Sequence, residues 1–237
     1  MNRTYCKVIV ASDNYDRYVR TDSKYPNHNQ NISSMEDLIM MFCTLMKYEK
    51  KVDCGLPMDT IIVVNGTDTF LDRYNGTKTK NGTIYVVHRE NIGGAFGGYN
   101  FAYNNYEYDF YLFTEDDLIL TKDGYYKDLV KKWDDDTGFI ALVGISSDGV
   151  HPIHCHGGVG LTRHNVLKRL ENEKKELPYA KVGWNSLENR EDIIKLGEIP
   201  FTNKIHKMGL KLSYFGNHSW DNDYLIPYYN LTHYNAI

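Results

Sequence analysis

Tyr108–Leu120 reads YDFYLFTEDDLIL and sets three consecutive carboxylates into an otherwise apolar run. Phe110–Phe113 is a continuous apolar stretch, which is typical of a strand buried on both faces of a sheet. The residues after the acids are apolar again, so the acids do not belong to a polar surface loop. In an extended chain, Glu115 and Asp117 point to one side and Asp116 points to the other.

This placement indicates a metal site. Unpaired carboxylates in apolar surroundings are costly unless a cation or hydrogen-bond donors compensate them. Glu115 and Asp117 would offer two hard oxygen ligands on one face, as a Mg²⁺ or Mn²⁺ that carries substrate phosphates requires. The alternative is an acidic strand end that faces solvent or pairs with Lys and Arg, because perturbed acids also occur in structural networks.

The rest of the chain alternates between strand and helix patterns, which predicts an α/β fold with a mixed, mainly parallel sheet flanked by helices, in a single domain over residues 1–237. Its strands read as buried apolar runs rather than as alternating ones. Ser33 or Ser34 with Asp37 resembles a helix N-cap. The predicted strands are Lys7–Ala11, Thr60–Val64, Thr83–His88, Asp109–Thr114, Phe139–Ile145 and a final Leu210–Phe215; the predicted helices are Met35–Tyr48, Gly93–Tyr106, Gly160–Leu170 and one that ends at Gly209.

Composition excludes several classes of protein. The 237 residues are 42% hydrophobic and 24% charged, with a net charge of −4, so no basic surface argues for nucleic acid or an anionic membrane. No apolar stretch approaches the ~20 residues of a membrane span. The short apolar run near the N-terminus does not suit a signal peptide, and we expect a cytoplasmic protein. Four cysteines lack CxxC spacing, so no zinc ribbon is indicated.

Four suggestive clusters directly follow predicted strands. They are Ser12–Asn14, Asn65-Gly66, Arg89–Gly98 and Glu115–Asp117. Parallel α/β sheets bind ligands at the carboxyl ends of their strands, beside a change in strand order. We therefore expect all four clusters to converge on one edge of the sheet.

In this order, the features resemble a GT-A glycosyltransferase, closest to the inverting family 2 type. The resemblance extends from Lys7 to about His218, although each motif is short. It rests on the strand-end clusters, on ENIGGAFGGYN at Glu90–Asn100, on the DxD-type triplet at Glu115–Asp117 and on the glycine turn Gly157–Gly160. The first acid of the triplet is Glu115, where Asp is commoner in the family.

The resemblance implies a transfer of a sugar from a nucleotide-diphosphate donor, with UDP as the usual nucleotide, to a hydroxyl of a glycan or a lipid-linked acceptor. It implies Mn²⁺ or Mg²⁺ as cofactor, inversion at the anomeric carbon, a nucleotide-binding half at about 1–120 and an acceptor-binding half at about 121–237. The implied metal ligands are Glu115, Asp117 and His218. The candidate donor-binding residues are Ser12, Asp13, Asn14, Asn65, Arg89, Gly94, Asn100 and Asp116.

The catalytic base has two candidates. The family carries an x-E-D motif before its last helix, and Glu191-Asp192 is the literal match. Counting back from Gly209 to the usual distance leads instead to Glu198, which we favour, with Asp192 as the alternative. Either carboxylate could take the proton of the attacking hydroxyl.

Other interpretations stay open. The glycines at 93–98 do not meet the G-x-G-x-x-G spacing, so NAD binding is not expected, and they could serve only close helix–sheet packing. A nucleotidyltransferase of the same fold neighbourhood would carry a Gly-rich, basic loop after strand one, which ASDNYDRY at Ala11–Tyr18 is not. A non-catalytic carbohydrate-binding or degenerate domain is the main alternative. A zinc hydrolase built on His151, His154 and His156 is a further one.

Overall fold

The computed structural model describes residues 3–13, 32, 34–146, 152–177, 194–215 and 224–228. Strands in this part of the chain are β1 (Tyr5–Ser12), β2 (Asp59–Asn65), β3 (Ile84–Arg89), β4 (Phe110–Glu115), β5 (Leu118–Leu120), β6 (Thr137–Ala141), β7 (Ile145–Ser146), β8 (His154–Cys155), β9 (Gly160–Arg163), β10 (Lys211–Tyr214) and β11 (Leu225–Pro227). Helices in it are α1 (Met35–Lys51), α2 (Gly94–Asn105), α3 (Tyr125–Lys131), α4 (His164–Leu170) and α5 (Ile199–Lys207). Short 3₁₀ helices span Phe70–Tyr74 and His156–Gly158, and a π-helical turn spans Ile194–Glu198.

One seven-stranded sheet organises the domain, with strand order β10-β6-β9-β4-β1-β2-β3. Neighbouring strands run parallel except β9, which is antiparallel to both β4 and β6. The chain moves outward from β1 through β2 to β3 and then returns to the other side of β1 at β4. The predicted mixed, mainly parallel α/β sheet in a single domain is therefore confirmed, and the strand order changes direction between β1 and β4.

The central strands are apolar on both faces, as their sequences predict. Val8 and Val10 of β1 pack in the cluster that includes residues of α2, α4 and α5. Ile9 and Ala11 of the same strand face the opposite cluster, which is built largely from α1. Since alternate side chains of a strand point to opposite faces, β1 is covered on both sides.

Helix positions were largely predictable from local chemistry. The side chain of Ser34 accepts a hydrogen bond from the backbone N–H of Asp37 at 3.2 Å, so Ser34 is the N-cap of α1. Gly209 follows α5 with a φ of +71°, the left-handed conformation that ends many helices. Gly98 of α2 lies against β1, where a Cβ would come within 2.5 Å of the Val10 side chain. Close helix–sheet packing is thus a confirmed role of Gly98.

Three predictions of secondary structure were wrong. The predicted strand Phe139–Ile145 is divided, because β6 ends at Ala141 in the main sheet and Ile145 belongs to β7, which pairs with β8. The predicted helix Gly160–Leu170 begins only at His164, because Gly160–Arg163 forms β9 and bonds to β4 on one side and β6 on the other. Leu210–Phe215 is not the final strand, since β11 follows and pairs with β5. All three errors concern pairing between segments that local periodicity does not report.

No helix in the described part of the chain combines the length and apolarity that crossing a bilayer requires.

Candidate active site

The carboxyl ends of β1, β2 and β3 carry three polar residues in one row. The register pairs Ser12 with Asn65, and Asn65 with Arg89. On the other side of β1, the register pairs Val10 with Glu115, the last residue of β4. The predicted convergence of strand-end clusters on one edge of the sheet is therefore confirmed.

Asp116 joins β1 to β4 at the point where the strand order changes direction. Its carboxylate is fully buried and accepts a hydrogen bond from the backbone N–H of Ser12 at 2.8 Å. Its own N–H donates to the carbonyl of Val10 at 3.1 Å. In α/β sheets, the crevice at such a change of order is where ligands bind.

Glu115 and Asp117 are half-buried on either side of Asp116. The chain does not remain extended here, because Asp116 and Asp117 form a turn between β4 and β5. The backbone carbonyl of Asp117 accepts a hydrogen bond at 2.7 Å from the N–H of Tyr228, which follows β11. Two carboxylates that reach solvent at a strand end fit the oxygen donors that Mg²⁺ and Mn²⁺ take.

Asn65 and Arg89 bind one another and the turn that opens α2. The Arg89 guanidinium donates to the Asn65 side-chain oxygen and to the carbonyl of Ile92. The Asn65 amide donates to the carbonyl of Gly94 at 3.0 Å. Burial lowers the pKa of Arg89, with the charge of Glu90 opposing this effect. Asn65, Arg89 and Gly94 therefore form one connected unit beside the crevice.

Asp13 and Asn100 hold neighbouring loops. The Asp13 carboxylate accepts from the backbone N–H of Thr67 at 2.7 Å, which ties the chain after β1 to the loop after β2. The Asn100 side chain accepts from the N–H of Leu177 at 2.8 Å. Three residues of the predicted transferase site, Asn14, Asp192 and His218, lie outside the described residues, as does His151 of the alternative zinc site.

A second half of the site is built around the turn at Gly157. Gly157 has a φ of +62°, a conformation that side chains with a Cβ rarely adopt. Its N–H donates to Oε1 of Glu198 at 2.9 Å. Glu198 ends the π-helical turn that leads into α5, and such turns are frequent at functional sites. The predicted acceptor-side glycine turn and the predicted base candidate are thus in direct contact.

Glu115 reaches the same turn from the side of β4. A Cβ built on Gly157 would lie 3.4 Å from Oε1 of Glu115. Gly157 therefore lies against the end of β4 and against the start of α5. The acids at residues 115 and 198, separated by 83 positions in the sequence (198 − 115), meet around one glycine.

Phe96 of α2 supports this arrangement, and sequence reasoning missed its role. A Cβ at Gly158 would come within 3.0 Å of the Phe96 ring, and a Cβ at Gly197 within 3.1 Å. The glycines at residues 158 and 197 were the signal in the sequence, because a glycine lets another side chain pack closely against the backbone. Phe96 thereby holds the Gly157 turn and the Glu198 turn together.

Glu198 also faces two histidines. Its Oε2 atom lies 3.1 Å from Nε2 of His154 and 3.9 Å from Nδ1 of His156. Among the described residues, these three form the group of His, Cys, Asp or Glu side chains whose ligand atoms could hold a metal, all within 4.8 Å of one another. Burial and, to a lesser extent, the charge of Glu198 raise the pKa of the Cys155 thiol, which lies between the two histidines in the sequence.

No protein-family model and no curated protein sequence matches this chain. Solved structures do. The S. aureus TarS fragment 1–349 is 17% identical with a TM-score of 0.51, and the mannosyltransferase PcManGT from Pyrobaculum calidifontis, in complex with GDP-Man and Mn²⁺, is 14% identical with a TM-score of 0.53. A putative glucose-1-phosphate thymidylyltransferase from Bacillus anthracis is 11% identical with a TM-score of 0.54.

The chain has the GT-A fold of nucleotide-diphospho-sugar transferases. The matches cover 94%, 92% and 98% of this chain, in the order given. They cover 60% of the TarS fragment, 56% of PcManGT and 94% of the thymidylyltransferase. This chain thus spans a little over half the length of the two glycosyltransferases, and at these identities the likeness concerns the fold.

Proposed function

We propose that this protein transfers a sugar from a nucleotide-diphosphate donor, with UDP-sugars the first to test, to a hydroxyl of a glycan or a lipid-linked acceptor. The observation that carries the proposal is the meeting of Glu115 and Glu198 around Gly157. The first acid lies at the strand end beside the change in strand order, where α/β sheets bind ligands, and the second is hydrogen-bonded to the Gly157 turn. Such a pair suits a reaction that neutralises a leaving group at one end and takes a proton at the other.

On the donor side, the proposal assigns the nucleotide diphosphate to the edge formed by the ends of β1, β2 and β3. The residues assigned to this edge are Ser12, Asp13, Asn14, Asn65, Arg89, Gly94 and Asn100, together with Asp116, which would hold the edge in position. Glu115 and Asp117, with His218, are assigned to Mn²⁺ or Mg²⁺, which when bound would neutralise the charge of the departing diphosphate. The half-buried carboxylates and the Mn²⁺ in the PcManGT complex support this assignment.

Within the donor half, buried Asp116 would hold position rather than contact a phosphate directly. Its bond to the Ser12 N–H keeps β1 and β4 in register at the crevice. The Arg89 guanidinium, bound to Asn65 and to the turn before α2, would present a fixed positive charge beside the diphosphate. Residues at about 1–120 would thus bind the donor, and those at about 121–237 the acceptor.

On the acceptor side, we assign the role of general base to Glu198, with Asp192 as the alternative. Oε1 of Glu198 is fixed by the Gly157 N–H, so the carboxylate is oriented toward the turn over which an acceptor would lie. Removal of the acceptor proton during attack on the face opposite the nucleotide would invert the anomeric configuration. Gly157, without a side chain, would let the acceptor approach the backbone closely.

The experiment is a donor-hydrolysis panel. The protein is incubated with UDP-, GDP-, dTDP- and CMP-sugars in Mn²⁺ or in EDTA, and the released nucleotide is measured. We expect release from one donor that requires the metal and falls about 100-fold or more in Asp117→Ala, since a metal contributes several kcal/mol to such a step. Asp135→Ala removes an exposed acid elsewhere on the surface and is the matched control. Sugar binding that ignores EDTA, without nucleotide release, would favour a non-catalytic carbohydrate-binding domain.

A second candidate is a nucleotidyltransferase that makes the activated sugar. The observation in its favour is fold similarity, because the thymidylyltransferase matches this chain with a TM-score of 0.54, against 0.51 and 0.53 for the two glycosyltransferases. Against it, the sequence after β1 lacks a Gly-rich basic loop. Release of pyrophosphate from a nucleoside triphosphate and a sugar 1-phosphate, supplied in a parallel assay, would identify this activity.

A further inference from the structure

The His154 side chain is held in one orientation by its backbone surroundings. Its Nδ1 atom lies 2.7 Å from the carbonyl oxygen of Pro152. A carbonyl can only accept, so Nδ1 carries a proton, and Nε2 is the atom left to face Oε2 of Glu198 at 3.1 Å. Between a neutral imidazole nitrogen and a carboxylate oxygen this close, a proton or a metal ion is needed, because two lone pairs would otherwise repel.

The two oxygens of the Glu198 carboxylate face different groups, as the two ring nitrogens of His154 do. Oε1 accepts the Gly157 N–H at 2.9 Å, which leaves Oε2 directed at the imidazoles of His154 and His156. Metal-binding histidines and carboxylates commonly use one atom for the metal while the other bonds to a backbone group. Both His154 and Glu198 show this division.

The spacing and the donor set suit a transition metal. Ligand atoms about 2.0–2.1 Å from a tetrahedral zinc lie about 3.3 Å apart. The two measured separations from Oε2, 3.1 and 3.9 Å, bracket that value. Two imidazoles and one carboxylate are also the protein ligands of a recognised type of zinc site.

The burial of these three side chains also suits a metal site. The His154 side chain is fully buried, and the side chains of Glu198 and His156 are 10% and 14% exposed. Buried charges are paired or bind metals, because their desolvation is otherwise costly. Slight exposure at His156 leaves an opening through which an ion could enter.

We propose that His154 Nε2, His156 Nδ1 and Glu198 Oε2 form a binding site for a divalent transition metal, with zinc as the best fit, separate from the site assigned to Glu115 and Asp117. The metal would tie the turn after β8 to the start of α5. This inference rests on the geometry of the three side chains and not on the proposed function. If the metal is bound, Glu198 cannot act as a base, and that role would pass to another group such as Asp192.

The test is a zinc titration of the full chain after treatment with a chelator, followed by competition with a chromophoric chelator. The background is Glu115→Gln/Asp117→Asn, which disables the first site. We expect this background to bind one zinc, and His156→Ala added to it to weaken binding by about tenfold or more, because even the loss of a supporting group costs that much. His206→Ala removes an exposed histidine of α5 and is the matched control, expected to bind like the background.

A second readout guards against misfolding of a variant. Zinc should raise the melting temperature of the background and of His206→Ala, but raise that of His156→Ala by much less, since a ligand stabilises only the state that binds it. X-ray absorption at the zinc edge should show two imidazole nitrogens. Equal zinc affinity in His156→Ala, or a zinc bound by oxygen alone, would overturn the proposal.

Discussion

The carboxylate of Asp116 accepts a hydrogen bond from the backbone N–H of Ser12 at 2.8 Å, where β1 and β4 separate at the edge of the sheet. These residues are 104 positions apart, and Asp116 is fully buried while Glu115 and Asp117 beside it reach solvent. The acidic triplet is thus divided by burial: its middle carboxylate is buried and hydrogen-bonded to the backbone of β1, and its outer two reach solvent.

The first prediction separates these roles by stability. Asp116→Ala should lower the free energy of unfolding by about 1–3 kcal/mol, because the buried Ser12 N–H loses its acceptor. Asp117→Ala should change it by less than about 0.5 kcal/mol, since the side chain is half-exposed. Urea denaturation of both variants measures the difference, and equal losses of stability would contradict the division.

A second prediction concerns Gly157. Gly157→Ala forces a Cβ onto a φ of +62° and should cost about 1–2 kcal/mol of stability. Gly209→Ala is the matched control, because its φ of +71° is equally strained and nothing lies within 4 Å of the added Cβ. Donor turnover should fall in Gly157→Ala, whose Cβ would contact Glu115, and stay normal in Gly209→Ala. Equal activity in the two would remove Gly157 from the site.

Glu115 itself gives a third prediction. Glu115→Gln keeps the size of the side chain but removes its charge, so metal-dependent donor turnover should fall while the melting temperature stays near that of the wild-type protein. Raising the Mn²⁺ concentration should recover part of the lost rate, because the variant binds the metal more weakly rather than not at all. A loss of rate that is independent of Mn²⁺ concentration would argue against a ligand role.

His88 supplies a fourth prediction, on pH. Burial lowers its pKa, but hydrogen bonds with the Asp72 carboxylate at 2.6 Å and the Gly66 carbonyl at 3.2 Å outweigh this effect, so the pKa lies above the ordinary 6.5. Because the folded state binds the proton more tightly, this stabilisation is fully present below the ordinary pKa. It is lost as the pH rises through the folded value.

NMR titration of the His88 ring checks this shift. In Asp72→Asn the carboxylate charge is gone, so the pKa of His88 should drop toward or below 6.5. The stability difference between the wild-type protein and this variant should also shrink as the pH rises. An unchanged His88 pKa in Asp72→Asn would show that the His88–Asp72 pair does not raise the pKa of His88.

The sequence was informative wherever local chemistry decides the structure. Buried strands are visible in the sequence as apolar runs, so β1 to β4 were predictable. Ser34 marks the start of α1 and Gly209 the end of α5, so these helix ends were predictable too. The convergence of the strand-end clusters followed from parallel topology alone. Glu198 was chosen as the base candidate by counting along a motif, and that role stays a prediction; the structure shows that its carboxylate accepts a hydrogen bond from the Gly157 N–H.

The predictions that failed concerned features that depend on contacts between segments distant in sequence. Gly160–Arg163 forms a strand because it pairs with β4 on one side and β6 on the other. The sequence of these four residues does not by itself predict a strand. Likewise, HPIHCHGG reads as an isolated histidine cluster, since its carboxylate partner, Glu198, comes 42 residues after His156 (198 − 156). The sequence shows that histidines are present, but only the fold shows what they face.

The most direct test of the central claim is a crystal structure of the protein soaked with UDP or GDP and Mn²⁺, with anomalous scattering recorded at the manganese edge. The account predicts an anomalous peak between the carboxylates of Glu115 and Asp117, with the diphosphate beside it at the ends of β1 and β2. A manganese peak confined to His154, His156 and Glu198, or a nucleotide bound away from this edge, would contradict it.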